Sequence, residues 1–426
     1  MLEGMKILSF VHGLYGCSAS QILADLGAEV VRIEWDMSGR RRPGSDLDDG
    51  DDWFFRLTGR NQKSVVLDPG TEEGHEVLHR LLETYDIVLE NCPWGMLEKW
   101  GIGYEQLRRI CPRLIWCSCR ERRGEAGRRQ DMEEEDRRQD MEEEDRRPGV
   151  EEESCRPGMD DELILESVTG LASLNGPGSK PPVPAGTALI EQHAAALMAL
   201  GITAAARDRE RTGQGHLVET SLFCASLDMQ IETMGYYLNG GRFIERADTG
   251  LSTRIHQSPY GVYPTADGYI TLSLTHHDRL CRIFSPGVMD VFTEQDAMDQ
   301  RVLFDRTVSR ELRKKTTAQW MEIFENMEDM WFAPVNEYGQ VMEDEQLIHN
   351  DPFVTLGTHK GKPVRSLGHA NCYDGRYPQV RILPPEFGQH TREILSEIGY
   401  DCEELDQLEK KGIINRNHER KDSYDI

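Results

Sequence analysis

One carboxylate stands where a helix is about to begin. The stretch from Lys180 to Leu222, KPPVPAGTALIEQHAAALMALGITAAARDRERTGQGHLVETSL, opens with Pro181, Pro182 and Pro184. Proline bars the α region to the residue before it, so this entry is extended. An Ala- and Leu-rich run then predicts a helix from about Ile190 to Arg207, because these residues lose least on becoming helical. Glu191 falls in its first turn, where the helix dipole favours an ionised carboxylate. Helix physics by itself reads it as a charge that suits the dipole. Asp208 to Gly215, DRERTGQG, closes the helix with charges and two glycines.

A second candidate is the basic turn Gly39 to Gly44, GRRRPG. Arg40, Arg41 and Arg42 are read either as a solvated loop or as a grip for ligand phosphates, since guanidinium and phosphate match in shape and charge. A third is the loop Asn91-Cys92-Pro93-Trp94-Gly95, which leaves the carboxyl end of a short strand. Ligands of open α/β sheets bind at such loops. Metal chemistry has no pattern to rest on. The ten cysteines and thirteen histidines form neither C-x-x-C nor HExxH.

The elements that must position these residues alternate. Met5 to Phe10 reads as a buried strand, Tyr15 to Leu26 as a helix stopped by Gly27, and Val30 to Ile33 as the next strand. Strands at Val65 to Leu67, Asp86 to Glu90 and Leu114 to Ser118 follow, with helices at Thr71 to Leu82 and Tyr104 to Ile110 between them. Such alternation predicts a mostly parallel sheet. His12 to Gly16, HGLYG, is not G-x-G-x-x-G, so the phosphate turn of a nicotinamide fold is missing. His216 to Thr220 adds a strand running into one long helix, Ser221 to Tyr237. Tyr260 to Leu274 then alternates aromatic and β-branched residues around Asp267-Gly268, a hairpin signature. Helical patterns at Asp278 to Phe284, Leu303 to Lys314 and Thr317 to Asn326 complete a smaller α+β domain. The expected division is a large domain over 1–222 and again over 368–426, a connecting helix and linker over 223–255, a small domain over 256–335 and a return linker over 336–367.

Composition bounds the rest. With 426 residues, 38% hydrophobic and 29% charged, the chain is a soluble globular type large enough for two domains. A formal net charge of -26 argues against nucleic acid and anionic membranes as partners. The start, MLEGMKILSF, carries Glu3 and no long apolar core, so no signal peptide is expected, and reduced cysteines in the cytoplasm are. Arg128 to Asp136, RRQDMEEED, is repeated residue for residue by Arg137 to Asp145. Each copy sets two Arg against five acids and has no apolar stripe, so an acidic insertion at about 120–155 is expected to be solvated and tolerated at the surface.

These pieces together resemble the family III CoA-transferases, the group of formyl-CoA and carnitine CoA-transferases. The likeness runs from Met5 to about Gly412. It is carried by ADLGAEVVRIE, NQKSVVLD, the LEN-x-x-x-G-x-L-E-K-x-G block at Leu89 to Gly101, PRLIWCS, GITAAARDRERTGQGHLVETSL, SPYGVYPTADGYITL, TTAQW, APVNE and GQHTREILSEIGY. The resemblance implies a Rossmann-like large domain, a small domain and an interlocked dimer of identical subunits. It also implies an acyl-CoA and a carboxylic acid as partners, CoA thioester as substrate, and no permanently bound cofactor. Members carry an aspartate nucleophile in this helix start, and the match GTALIEQHAAALMALGI puts Glu191 there. Asn91 and Lys99 in the matched block, and Lys63 in NQKS, are the implied CoA contacts, with Arg40 to Arg42 on the nucleotide side. Leu14 stands where members often have glutamine, and RERRGEAG with the acidic repeat replaces a glycine-containing loop. Two other readings share the fold: a catalytically inactive CoA binder, and an α-methylacyl-CoA racemase. The racemase needs a His as one of its paired acid and base, and Met159 stands at that place.

Overall fold

The computed structural model describes residues 1–35, 53–93, 95–120, 161–241, 243–359 and 361–414. Arg40 to Arg42, the acidic repeat and Met159 lie outside the described residues. Six strands, β1 (Lys6–Phe10), β2 (Glu29–Glu34), β3 (Gln62–Val66), β4 (Ile87–Glu90), β5 (Ile115–Arg120) and β6 (Leu217–Ser221), form one sheet in the order β3-β2-β1-β4-β5-β6. Every pairing in it is parallel. This is the strand order of a doubly wound Rossmann-like sheet, and its direction of winding reverses between β1 and β4. The central strands β1 and β4 are short and mostly apolar because both faces are covered; all four residues of β4 and the last four of β1 are buried.

The chain folds into two compact units, the first of residues 1–160, 189–225 and 352–426, the second of residues 161–188 and 226–351. That division falls at other residues than the sequence suggested. Residues 161–188, expected in the large domain, belong to the second unit. So do residues 226–255, expected as a connector. The first unit's core runs from Leu8 and Phe10 in the sheet to Ile394 and Leu395 in the helix Thr391–Glu397. The second has its own core around Tyr263, Phe304, Trp320 and Phe324. Its hairpin, β7 (Tyr260–Pro264) with β8 (Tyr269–Ser273), pairs Tyr260 with Ser273 as the alternation predicts.

Three features differ from the sequence reading. The helix expected over Ser221 to Tyr237 is two helices, Leu222–Asp228 and Ile231–Leu238. Gln230 breaks it: its side-chain amide donates to Ser226 O at 2.9 Å, and its backbone N–H turns to Leu227 O instead. A third strand, β9 (Trp331–Pro334), lies against β8. The expected return linker holds a hairpin, β10 (Phe353–His359) with β11 (Lys362–Leu367).

The NQKS segment is a clamp on the returning C-terminal chain. Asn61, at φ 61, accepts from the backbone N–H groups of Arg381 at 2.6 Å and Ile382 at 3.1 Å. Its side-chain amide donates to buried Asp25 at 2.7 Å. Arg60 reaches Asp25 at 2.7 Å and, with its other terminal nitrogen, Leu367 O at 2.7 Å.

Candidate active site

Glu191 is the third residue of a long helix, Leu189–Thr212, and is 0% exposed. The far end of this helix shows which way it points. Arg209 donates to the carbonyls of Asp86 at 3.3 Å and Arg113 at 3.1 Å, and pairs with the Asp86 carboxylate at 2.9 Å. Those residues just precede β4 and β5, so the helix ends at the amino edge of the sheet. Its first turn, with Glu191, is therefore at the carboxyl edge, where open α/β sheets place their ligands. Gly201 lets the helix lie close on β6: a Cβ there would come within 2.6 Å of Val218 Cγ1. By length and hydropathy this is the one described helix that could cross a membrane. Buried Ile190, Ala194, Met198 and Ile202 make it a core helix.

Beside it runs the first helix, Gly13–Asp25, joined through Gln192 Nε2 to Ser18 Oγ at 3.3 Å. The turn leading into that helix is shaped by Asn91. The amide of Asn91 accepts from His12 N at 2.9 Å and donates to His12 O at 2.7 Å. Gly13 takes φ 66, and Gly16 has no room for a side chain, since a Cβ would lie 2.9 Å from the Asn91 amide nitrogen. The amide thus ties the loops after β1 and β4 together, at the point where the sheet's winding reverses. Glu90, buried at the end of β4, receives the Cys92 N–H at 2.9 Å and helps turn the same loop. The sequence marked Glu90 only as a strand end and as a member of the LEN block.

Lys99 is exposed at the end of the short helix Met96–Lys99. The next residue, Trp100, packs edge-on to Trp35 at 5.4 Å, just past the carboxyl end of β2. Lys63 is elsewhere. It lies within β3, three residues short of the strand's end, and its ammonium pairs with Glu393 at 2.7 Å and Glu397 at 3.8 Å. Burial pulls its pKa down, and these carboxylates outweigh burial to leave it raised. The carboxyl edge thus gathers Glu191, Asn91 and Lys99, and leaves Lys63 out. Cys117 and Cys119 on β5 are 0% exposed, and burial pushes their thiols up, which favours the thiol over the thiolate. Among the described residues no cluster of His, Cys, Asp and Glu is arranged to hold a metal.

The family model for CoA-transferase family III matches residues 2–132 and 148–391, most of the chain. This chain belongs to CoA-transferase family III. CoA-transferase activity is the activity that this membership carries. Relatives of this family III enzyme include the succinyl-CoA:glutarate CoA-transferase of Mus musculus, 27% identical over 439 residues, covering 99% of this chain and 91% of the relative. The formyl-CoA:oxalate CoA-transferase of Escherichia coli O6:H1 is 24% identical, covering 97% and 99%. Among solved structures, a CAIB/BAIF family protein from Brucella suis superposes with a TM-score of 0.68 at 22% identity, covering 93% of this chain and 99% of that one. A Mycobacterium tuberculosis protein gives 0.67 at 22% identity, covering 92% and 98%. These two likenesses speak for the fold alone.

Proposed function

We propose that the enzyme moves CoA from an acyl-CoA thioester to a carboxylic acid through covalent intermediates on Glu191. A Glu191 oxygen attacks the thioester carbonyl carbon, the C–S bond breaks, and CoA leaves as thiolate from a mixed anhydride. The thiolate then attacks the glutamyl carbon, the C–O bond breaks, and the donor acid departs as carboxylate. Glu191 is left as a CoA thioester. The acceptor carboxylate attacks that thioester and expels the thiolate. The thiolate attacks the acceptor's acyl carbon in turn, freeing both the new acyl-CoA and the Glu191 carboxylate. Each step exchanges one bond for another, with no oxidant and no net charge change, and the covalent route divides one exchange into easier halves.

The observation that carries this reading is a carboxylate buried in the first turn of the long helix, at the sheet's carboxyl edge, within the span that the family model matches. Glutamate reaches roughly an ångström further than the aspartate that the resemblance implies, a difference that matters for aligned attack. Arg40 to Arg42 and Lys99 are proposed to receive the diphosphate of CoA; Asn91 supplies turn geometry to the same edge. Relatives named for succinyl-CoA with glutarate, mesaconate or citramalate support a dicarboxylic acid as substrate. No relative named here favours the racemase or the inactive binder.

A homodimer is proposed on different grounds. The helix Ile231–Leu238 buries none of its residues, and Ile231, Tyr237 and Leu238 are 74%, 65% and 71% exposed. So much exposed apolar surface on one short helix calls for a partner. A cytoplasmic setting is proposed because the nine described cysteines are all free.

The decisive experiment offers succinyl-CoA without an acceptor and quenches with hydroxylamine. A hydroxamate mass change is expected on the peptide holding Glu191. Glu191→Ala should lose exchange by at least roughly a thousandfold, the scale on which removing a nucleophile acts, while still binding CoA. Exchange at the parental rate in Glu191→Ala would move the nucleophile elsewhere.

A further inference from the structure

The second unit holds a basic pocket that includes none of the residues named so far for acyl transfer. A cavity of about 430 Å³ is lined by Asp248, Thr249, Arg306, Ser309, Arg310 and Arg313. The three arginines come from the helix Arg301–Leu312 and the residue after it. Their spacings of four and three put them on one helix face. Like charges so placed weaken a helix, and among the described residues no carboxylate forms a salt bridge with any of them. Their neighbours differ. Lys314 is held by Glu311 at 2.7 Å, and Lys315 lies over the Trp320 ring at 5.7 Å. In a chain of net charge -26, the segment Arg306 to Lys315 has five basic residues against Glu311 alone, and three of the five line the cavity. Asp248, also in the lining, accepts the Ser179 N–H at 2.6 Å. Hydrogen bonds from Ser179, with the charge of Arg306 adding to them, hold its carboxyl below the usual range, so it stands there as a fixed acceptor.

We propose that this pocket binds a phosphorylated ribose, with Arg306, Arg310 and Arg313 on the phosphate and Asp248 accepting from a ribose hydroxyl. Guanidinium groups suit phosphate oxygens through charge-assisted hydrogen bonds. The cavity falls within the range of small-molecule sites. Two sources carry this chemistry, the nucleotide end of CoA and a free nucleotide. The first rests on the transferase reading above; the second does not.

The test titrates ADP, and separately CoA, into the full chain by calorimetry. It compares the parent with Arg306→Ala/Arg310→Ala/Arg313→Ala and with the single Arg310→Glu. These are exposed positions, so melting temperatures should be unchanged. Arg310→Glu keeps the test standing if the triple variant folds badly. ADP binding is expected to weaken roughly tenfold or more in the triple variant, as charge-assisted bonds are lost, and to weaken in the parent as salt screens the pocket. If the Kd of CoA and the KM of acyl-CoA rise by the same factor, CoA is the source. If only ADP responds, a free nucleotide is. If neither ligand's affinity responds to any of the substitutions, the pocket is no phosphate site and the proposal falls. The hydroxamate on Glu191 is read independently of all these outcomes.

Discussion

Asn91 sits within hydrogen-bonding reach of two loops and gives its whole amide to one residue, His12. Asn91→Ala would leave a part-buried N–H and C=O without that partner, at a cost of about 1–3 kcal/mol. A fall of a few degrees in melting temperature should follow, with a higher KM for acyl-CoA as the turn relaxes. An unchanged KM would confine Asn91 to stability. Asp25 makes a different prediction. Burial raises its pKa, but hydrogen bonds from His369, Arg60 and Asn61 outweigh burial and hold it below the usual aspartate value of 3.8. A carboxyl lowered by folding contributes stability that is complete above its unfolded pKa and fades as pH falls through the folded one. Urea unfolding of the parent should therefore lose stability below about pH 4 more steeply than Asp25→Asn does. Parallel acid limbs in the two proteins would show that Asp25 is not coupled to folding in this way.

At the scale of elements, the long helix is held at its C-terminal end and along its middle. Arg209 anchors its C-terminal end to the amino edge of the sheet, and Gly201 lets its middle settle on β6. Replacing Gly201 by Ala gains up to about 1 kcal/mol of helix propensity. Against that stands overpacking of about 1–3 kcal/mol, because a β-branched Val218 cannot swing aside. The net expectation is a destabilised protein with slower exchange, since the helix that moves is the one carrying Glu191. Adding Val218→Ala to Gly201→Ala should restore part of both. A double variant no better than the single would place the strain somewhere other than this contact.

At the scale of the molecule, the exposed helix Ile231–Leu238 bears on assembly. Light scattering should give twice the chain mass for the parent. Ile231→Asp with Leu238→Asp should shift it toward the monomer while leaving melting of the described cores little changed, as neither side chain is buried in the single chain. A parent that runs as a monomer at micromolar concentration would remove the dimer proposal.

The sequence by itself determined the alternation. Short apolar runs such as Ile7 to Phe10 and Ile87 to Leu89 have to be buried on both faces, which makes them strands of a parallel sheet, and the glycines and capping residues between them mark where helices stop and start. It also put Glu191 in the first turn of a helix, because proline before a helix and a carboxylate in its first turn are local facts, while its role as nucleophile is what the resemblance implies. What the structure decided depends on residues far apart in the chain. That Asn91 closes on His12, that Lys63 is taken by Glu393, and that Asn61 grips Arg381 are pairings across 79, 330 and 320 positions. No periodicity encodes such partners. Gln230 breaking a helix through its own side chain was equally hidden, because propensity counts residues one at a time and this break needs a competing hydrogen bond. The strand β9 was missed because four residues show too little alternation to be read, and only the open edge of β8 makes a strand of them.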